Sequence, residues 1–305
     1  MSRPFRFGIN TTATGSRAEW QDRARRLEAD GWSTLLVPDH LGGVSTFAPL
    51  VSAADVTSTL RVGSLVANND LFHPLRLAQE AATVDLLTDG RLELGLGSGW
   101  NEPEYQILGL PYDRPAKRAR RLGDALAAMK SAWAGQILLP GAPDGDSTRA
   151  VPEPAQRPHP PLLIGGHGDA ILGLAAAEAD IIGFTGLTWT GTGLAPTGAS
   201  VDALAERVAF VRDCAGARFD NLELNVLTQV ATVGGDAEAV VARLVSSLGV
   251  GADLVRESPL TLLGSVPEVV DKLVATRERL GISYVVVFDT AVDDMTPVVA
   301  QLAGT

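Results

Sequence analysis

The sequence predicts an eight-stranded α/β barrel, and three observations lead there. Short β-branched or Leu-rich runs recur along the chain, amphipathic stretches separate them, and eight such units fit in 305 residues. Parallel strands need a crossover of a dozen residues or more between them, and this rhythm supplies one each time. A doubly wound open sheet is the alternative. It is disfavoured because Gly8 to Thr12, after the first run, offers one glycine where a dinucleotide fold carries a GxGxxG loop.

The first run begins near Phe5. Ser16 and Glu19 have capping-box spacing, Trp20, Ala24 and Leu27 share a helical face, and Asp30 and Gly31 stop the helix before Trp32 to Val37 extend. The third run starts near Arg61. Pro74 then opens a helix whose stripe is Leu77, Ala81, Val84 and Leu87, and Asp89 and Gly90 close it ahead of Arg91 to Leu96. Further runs lie at Pro161 to Ile164, Asp180 to Phe184, Leu222 to Val230 and Tyr284 to Phe288. Two segments without periodicity, 135–161 and 186–200, read as lids or binding loops inserted into a single domain covering 1–305.

Composition narrows the function classes. Hydrophobic residues make up 46% and charged residues 20%, the balance of a globular chain. The net charge of −11 gives no positive field for nucleic acid or anionic lipid. A single cysteine, Cys214, rules out an intramolecular disulfide, and its spacing after Leu204, Val208 and Val211 predicts a buried residue. Met1 to Phe7 carries no apolar leader segment, so a cytoplasmic protein is expected. The uncharged stretch between Asp180 and Asp202 is interrupted by Thr, Gly and Pro and reads as a loop rather than a membrane span. No two of the four histidines have metal-ligand spacing such as HxxxH, and none pairs with an obvious Asp or Glu motif, so no metal site is expected. No GxSxG elbow surrounds Ser64, so a serine hydrolase is not indicated.

In such a barrel the chemistry collects where the strands end. Those positions read Asn10 and Thr11, Asp39 and His40, Asn68 and Asn69, Gly97 to Glu102, Gly165 to Gly168, Thr185 and Gly186, Thr228 and Gln229, and Asp289. His40 is the candidate acid or base, because imidazole changes protonation near neutral pH; its other use is to brace a loop through Asp39. His73, before Pro74, reads as structural, and His159 among prolines as exposed. The glycines at 165, 166 and 168 precede a helix carrying Leu172, Ala175 and Ala176, where free amides suit a phosphate and equally suit a tight turn. Trp100 fits either a lid over a ring or simple packing. The basic run Arg114 to Arg121 reads first as a solvated helix face continuing to Trp133, with an acidic cofactor tail as its other use.

The chain also resembles the luciferase-like monooxygenase superfamily, and within it the deazaflavin-dependent (coenzyme F420) oxidoreductases. The resemblance lies in LLVPDHL at Leu35 to Leu41, RVGSLVANNDLFHP at Arg61 to Pro74, and AQEAATVDLLTDGRLELGLGSGWNEPEYQILG at Ala78 to Gly109. It continues in RRLGDALAAMKSAWAG at Arg120 to Gly135, LLIGGHG at Leu162 to Gly168 and the last strand. It implies a TIM barrel with a flavin-type ring in its mouth. On that footing His40 would serve as a proton donor or orient the substrate, with Asn101 and Glu102 also catalytic. The ring would lie against a bulge at Ser64, Leu65 and Val66, often built on a non-proline cis peptide, with Asp39, Ala67, Asn68, Gly99 and Trp100 around it. Gly165, Gly166, His167 and Gly168 would hold the phosphate beside Gly183, Phe184 and Thr185.

The resemblance further implies hydride transfer between F420 and a small organic substrate, with Trp189 and the loop around it shaping the pocket, and a homodimer formed through helices near the second and third strands. Two alternatives stand: an FMN-dependent monooxygenase with a separate reductase and oxygen, and a barrel that binds a ligand without catalysis. For a polyglutamate tail, Arg76 and the Arg114 to Arg121 run are the candidate cations.

Overall fold

The computed structural model describes residues 3–11, 15–139, 148–189 and 194–305. Eight parallel strands close on themselves: β1 Arg6–Asn10, β2 Thr34–Val37, β3 Arg61–Ser64, β4 Leu92–Gly97, β5 Leu162–Gly166, β6 Ile181–Phe184, β7 Glu223–Leu227 and β8 Ile282–Phe288. Pairing runs β1 to β2 to β3 on one side and β1 to β8 to β7 to β6 to β5 on the other. β4 shuts the ring, with Val62 opposite Leu92 and Leu94 opposite Leu162. All eight apolar runs are therefore barrel staves, and the chain is a TIM barrel rather than an open sheet. Among the described residues no helix is long and apolar enough to cross a membrane.

The helices follow as read from the sequence. α1 Arg17–Ala29 carries the Ser16–Glu19 capping box and buries Trp20, Ala24 and Leu27. α2 is Phe47–Ala54 and α3 is Pro74–Leu87, which His73 caps by accepting from the Leu75 amide. Leu77, Ala81 and Val84 are buried as expected, but Leu87 is exposed because it falls in the last turn, beyond the barrel wall. α4 Glu102–Leu108 and α5 Pro115–Trp133 follow β4, and α6 Asp169–Glu178 follows β5. α7 Val201–Ala215, α8 Ala237–Leu248, α9 Ala252–Glu257, α10 Val266–Leu280 and α11 Val292–Leu302 complete the shell. Between β7 and β8, Val230–Val233 pairs in parallel with Thr261–Gly264 outside the barrel.

Three further expectations are corrected. Cys214 is exposed, because it lies past the buried face of α7 formed by Leu204, Val208 and Val211. The inserted segments carry structure: Leu138–Leu139 pairs with Thr148–Arg149, and Thr188–Trp189 with Leu194–Ala195, both antiparallel. Residues 140–147 and 190–193 of those lids, and the Trp189 side chain, lie outside the described part. His159 is half-buried, its ring 5.7 Å from that of Trp133, rather than exposed.

Apolar packing divides into two shells. A large cluster fills the space between strands and helices, and a small one, Leu36, Leu163, Ile181, Tyr284 and Val286, lies inside the barrel. Strand alternation then assigns every other position to the interior. At the amino-terminal end that interior is charged. Arg6 contacts Glu93 (2.5 Å) and Glu223 (2.7 Å), Arg61 contacts Glu93 (2.6 Å), and the Arg6 guanidinium lies 3.8 Å over the Tyr284 ring. Four strands and β8 are tied by this one cluster, which plugs the floor.

Candidate active site

At the opposite end the inward positions of β4, β5 and β6 are glycines: Gly97, Gly165 and Gly183. Val66 folds into the space over Gly97, where a Cβ would sit 2.6 Å from its methyl. Over Gly165 a Cβ would meet only Gly183 O, at 3.7 Å, so this part of the wall is bare backbone. Gly99 is required for another reason: its φ is +75°, and a Cβ would collide with the Tyr105 hydroxyl. β3 breaks at a cis Leu65–Val66 peptide, where the resemblance places its bulge, and resumes at Ala67–Asn68 beside Leu96 and Gly97. Leu65, Val66 and Leu227 rest on the interior apolar cluster, giving the mouth an apolar base.

His40 follows β2. Its Nδ1 lies 2.9 Å from Glu104 Oε1, and the same oxygen accepts from the Leu41 amide at 3.1 Å. Glu104 is buried while His40 is 41% exposed, so one face of the imidazole is fixed and the other is open. The Trp100 ring stands edge-on to it at 5.6 Å. Asp39 turns elsewhere and accepts from the Asn68 amide at 2.9 Å. Burial pushes the Asp39 carboxyl above its usual value and Glu104 adds to this, against the opposing Asn68 bond and His40. The expectation that no histidine pairs with a carboxylate, and the bracing of His40 through Asp39, are both corrected: Glu104 is the partner.

Glu104 was not picked from the sequence, where Glu102 two residues earlier looks equivalent. Glu102 sits half-buried in the first turn of α4 without a side-chain hydrogen bond or ion pair among the described residues. Asn101 caps that helix, half-buried, with no side-chain capping bond. The signal was periodicity: with a start at Asn101 and Pro103, Glu104 and Tyr105 become the inward pair, and both are buried.

Behind them lies a polar network. Tyr105 donates to Asp70 (3.0 Å), Arg121 grips Asp70 through two bonds (2.7 and 2.6 Å), and Arg118 donates to Ser98 O (3.1 Å) and Asp113 O. Arg118 is buried, so the basic run is not simply a solvated face; Arg118 braces the Gly97–Asn101 turn through Ser98 O, and Arg121, three residues on and partly exposed, holds Asp70 and Asp113. Other predicted side chains are also spent on structure. Ser64 Oγ bonds both Gly95 O and Gly95 N, Asn68 Oδ1 accepts from the Asp70 amide, and Ala67 and Phe184 lie in the outer apolar shell.

The glycine turn after β5 caps α6 with Gly168, which has no side-chain capping bond and open space where a Cβ would stand. Gly166 is small because a Cβ there would strike Ile171. His167 is half-buried against Gly198, and burial, with Arg207 nearby, holds its pKa below the usual value. Arg207 contacts Asp169 at 2.6 Å. Thr185 is half-buried, its hydroxyl 3.4 Å from Leu187 O. No group of three or more potential metal ligands occurs among the described residues.

A family model described as luciferase-like monooxygenase matches residues 1–259. The chain belongs to that family. It is 33% identical over 174 residues to an uncharacterized Mycobacterium tuberculosis protein, covering 48% of this chain and 59% of that one. The chain thus matches about three fifths of the length of its first curated relatives. It is also 28% identical over 180 residues to the FMNH(2)-dependent dimethylsulfone monooxygenase of Pseudomonas putida, covering 57% and 46% of the two chains. By structure it is similar to the coenzyme F420 dependent tetrahydromethanopterin reductase of Methanopyrus kandleri, with a TM-score of 0.72, 18% identity and 98% of both chains covered. The proteins similar to this chain thus include one named as F420 dependent, alike in fold, and one named as FMNH(2)-dependent, alike in sequence.

Proposed function

We propose that this protein is an F420-dependent oxidoreductase acting on a small organic molecule. The observation that carries the reading is the pairing of a half-open imidazole, His40, held by buried Glu104, with a mouth whose wall at Gly165 on β5 is bare backbone. A flat ring would lie against the Gly165 backbone, with Asn225 and Leu163 beside Gly183. Gly165 to Gly168 and the uncapped start of α6 would hold the phosphate, with amide donors and the helix dipole favouring negative charge. Leu65 and Val66 would back the ring, and Asp39, Trp100 and Asn101 would border it. When bound, the deazaflavin would supply a hydride at C5, which is the cofactor's own chemistry. His40 would carry the balancing proton from its open nitrogen, while Glu104 fixes the ring orientation through Nδ1. We further propose a homodimer through α2 and α3, supported by the exposed Leu86 and Leu87 at the end of α3.

A second reading, an FMN-dependent monooxygenase served by a separate reductase, is favoured by one feature: Arg118 and Arg121 are committed internally, so the basic run offers fewer cations to a polyglutamate tail. Titrating the purified protein with oxidised F420 and, separately, with FMN separates the readings, with tryptophan quenching and cofactor absorbance as signals. Selective tight binding of F420 is expected. Selective binding of FMN moves the protein to the monooxygenases, and binding of neither removes the cofactor reading.

A further inference from the structure

We propose that the molecule admitted beside His40 is an uncharged, largely apolar compound and not an anionic metabolite; this rests on the mouth being an active site as read above. The rim is apolar and open. Leu41, whose amide is bonded to Glu104, is 45% exposed; Trp100, edge-on to His40, is 41% exposed; and Leu108, one turn beyond Glu104 on α4, is 43% exposed. Below them Leu65, Val66 and Leu227 pack on the interior cluster. A guest entering past His40 thus meets hydrocarbon at the rim and at the base. Large apolar side chains gathered on one edge of a cleft mark a surface that binds something apolar.

The charges point the same way. Close to His40 the guanidiniums are engaged, Arg118 with Ser98 O and Arg121 with Asp70, while across the strand ends Arg23 meets Asp289 and Arg207 meets Asp169, and Arg243 lines the β7–β8 side with Thr228 and Phe288. The acids associated with His40 are Glu104, bonded to its Nδ1, and its sequence neighbour Asp39, bonded to the Asn68 amide. An anionic guest held beside His40 would be desolvated next to acids, and the guanidiniums bonded nearest to it, those of Arg118 and Arg121, are already committed; an unpaired buried charge is costly. The oxygen or nitrogen that a neutral guest presents to His40 needs only a hydrogen bond.

The test uses three naphthalenes of matched size: 2-acetonaphthone (neutral), 2-naphthoate (anionic) and 2-naphthylmethylammonium (cationic). Each is titrated calorimetrically into the protein alone and into the protein with saturating F420 or FMN. The neutral ketone is expected to bind about tenfold or more tighter than naphthoate, equivalent to roughly 1.4 kcal/mol. Leu41→Asp and Leu108→Asp, both at exposed positions, are each expected to weaken the ketone by about tenfold. Equal or tighter binding of naphthoate or the ammonium, or no binding of any of the three, overturns the proposal. So does an unchanged ketone affinity in both variants, including the case where Leu41→Asp alters only the oligomeric mass. Failure of the cofactor reading looks different: neither cofactor binds, yet the neutral preference and its dependence on Leu41 and Leu108 persist.

Discussion

The two ends of this barrel hold their polar groups on opposite terms. At the amino-terminal end Glu93 is enclosed and met by both Arg6 and Arg61, and Arg6 also reaches Glu223. Burial works against the Glu93 charge, yet the two guanidiniums hold its pKa below the usual glutamate value. At the carboxyl-terminal end Asp39 is raised by burial, His40 keeps one face open, and among the described residues Asp39 meets no guanidinium and buried oxygens of Asn10, Asn69 and Thr228 lack partners. At one end the charged cluster is fully paired and therefore supports the fold, although Ser283 Oγ at the start of β8 is buried without a partner among the described residues. The other end leaves its interactions incomplete, which costs stability and leaves groups available to a ligand.

Removing the central carboxylate of the closed end gives the largest expected effect. Glu93→Gln leaves Arg6 and Arg61 without their shared partner inside the barrel floor, and breaking such a pair costs about 3 kcal/mol or more. Chemical denaturation reads this as a lower midpoint with an unchanged slope. The pH dependence has a definite sign. Because the Glu93 pKa is lowered on folding, its stabilisation is complete above the ordinary value of 4.5 and drains away as pH falls through the lower folded value. The gap between wild type and Glu93→Gln should therefore narrow in acid; a gap independent of pH contradicts the pairing.

The open end should respond in rate rather than in stability. His40→Asn is expected to lower turnover ~10²-fold or more while the denaturation midpoint and cofactor affinity stay near wild type. Full turnover in that variant removes His40 as proton carrier. Glu104→Gln keeps an acceptor for the Leu41 amide but loses the carboxylate, so its loss should be smaller, about tenfold. Since Glu104 acts through His40, adding it to His40→Asn should cost little more, and a double-mutant cycle measures this. Additive losses would mean that Glu104 has a separate task.

The difference between the ends also explains what the sequence made legible. Every stave was visible, because a strand buried on both faces is written as a continuous apolar run, as in Tyr284 to Phe288. His40 was visible because it follows such a run. Partnerships across the barrel were not. Arg6, Glu93 and Glu223 lie far apart in sequence and meet only when the ring closes, so no local pattern announces the floor cluster. Glu104 was hidden by Glu102, and only the helix start at Asn101 distinguishes them. Arg118 and Arg121 were read as a wet face because a run of basic residues carries its charge locally, while Asp70 and Ser98, which receive them, come from earlier turns.

Asp39 gives the smallest and sharpest prediction, since its sign opposes that of Glu93. Folding raises the Asp39 pKa, chiefly by burial, so the charged form is disfavoured in the native state. Its contribution is then most favourable below the ordinary aspartate value of 3.8 and is lost as pH rises through the higher folded value. Asn in its place can still accept from the Asn68 amide and carries no charge to desolvate. Asp39→Asn should therefore raise the denaturation midpoint slightly at neutral pH, and that advantage should vanish on acidification below the aspartate range. Glu93→Gln narrows its deficit over the same acid range, so the two variants approach wild type from opposite sides. If Asp39→Asn is instead destabilised at neutral pH and recovers in acid, Asp39 is held as a stabilising anion, and the two ends of the barrel do not differ in the way their geometry indicates.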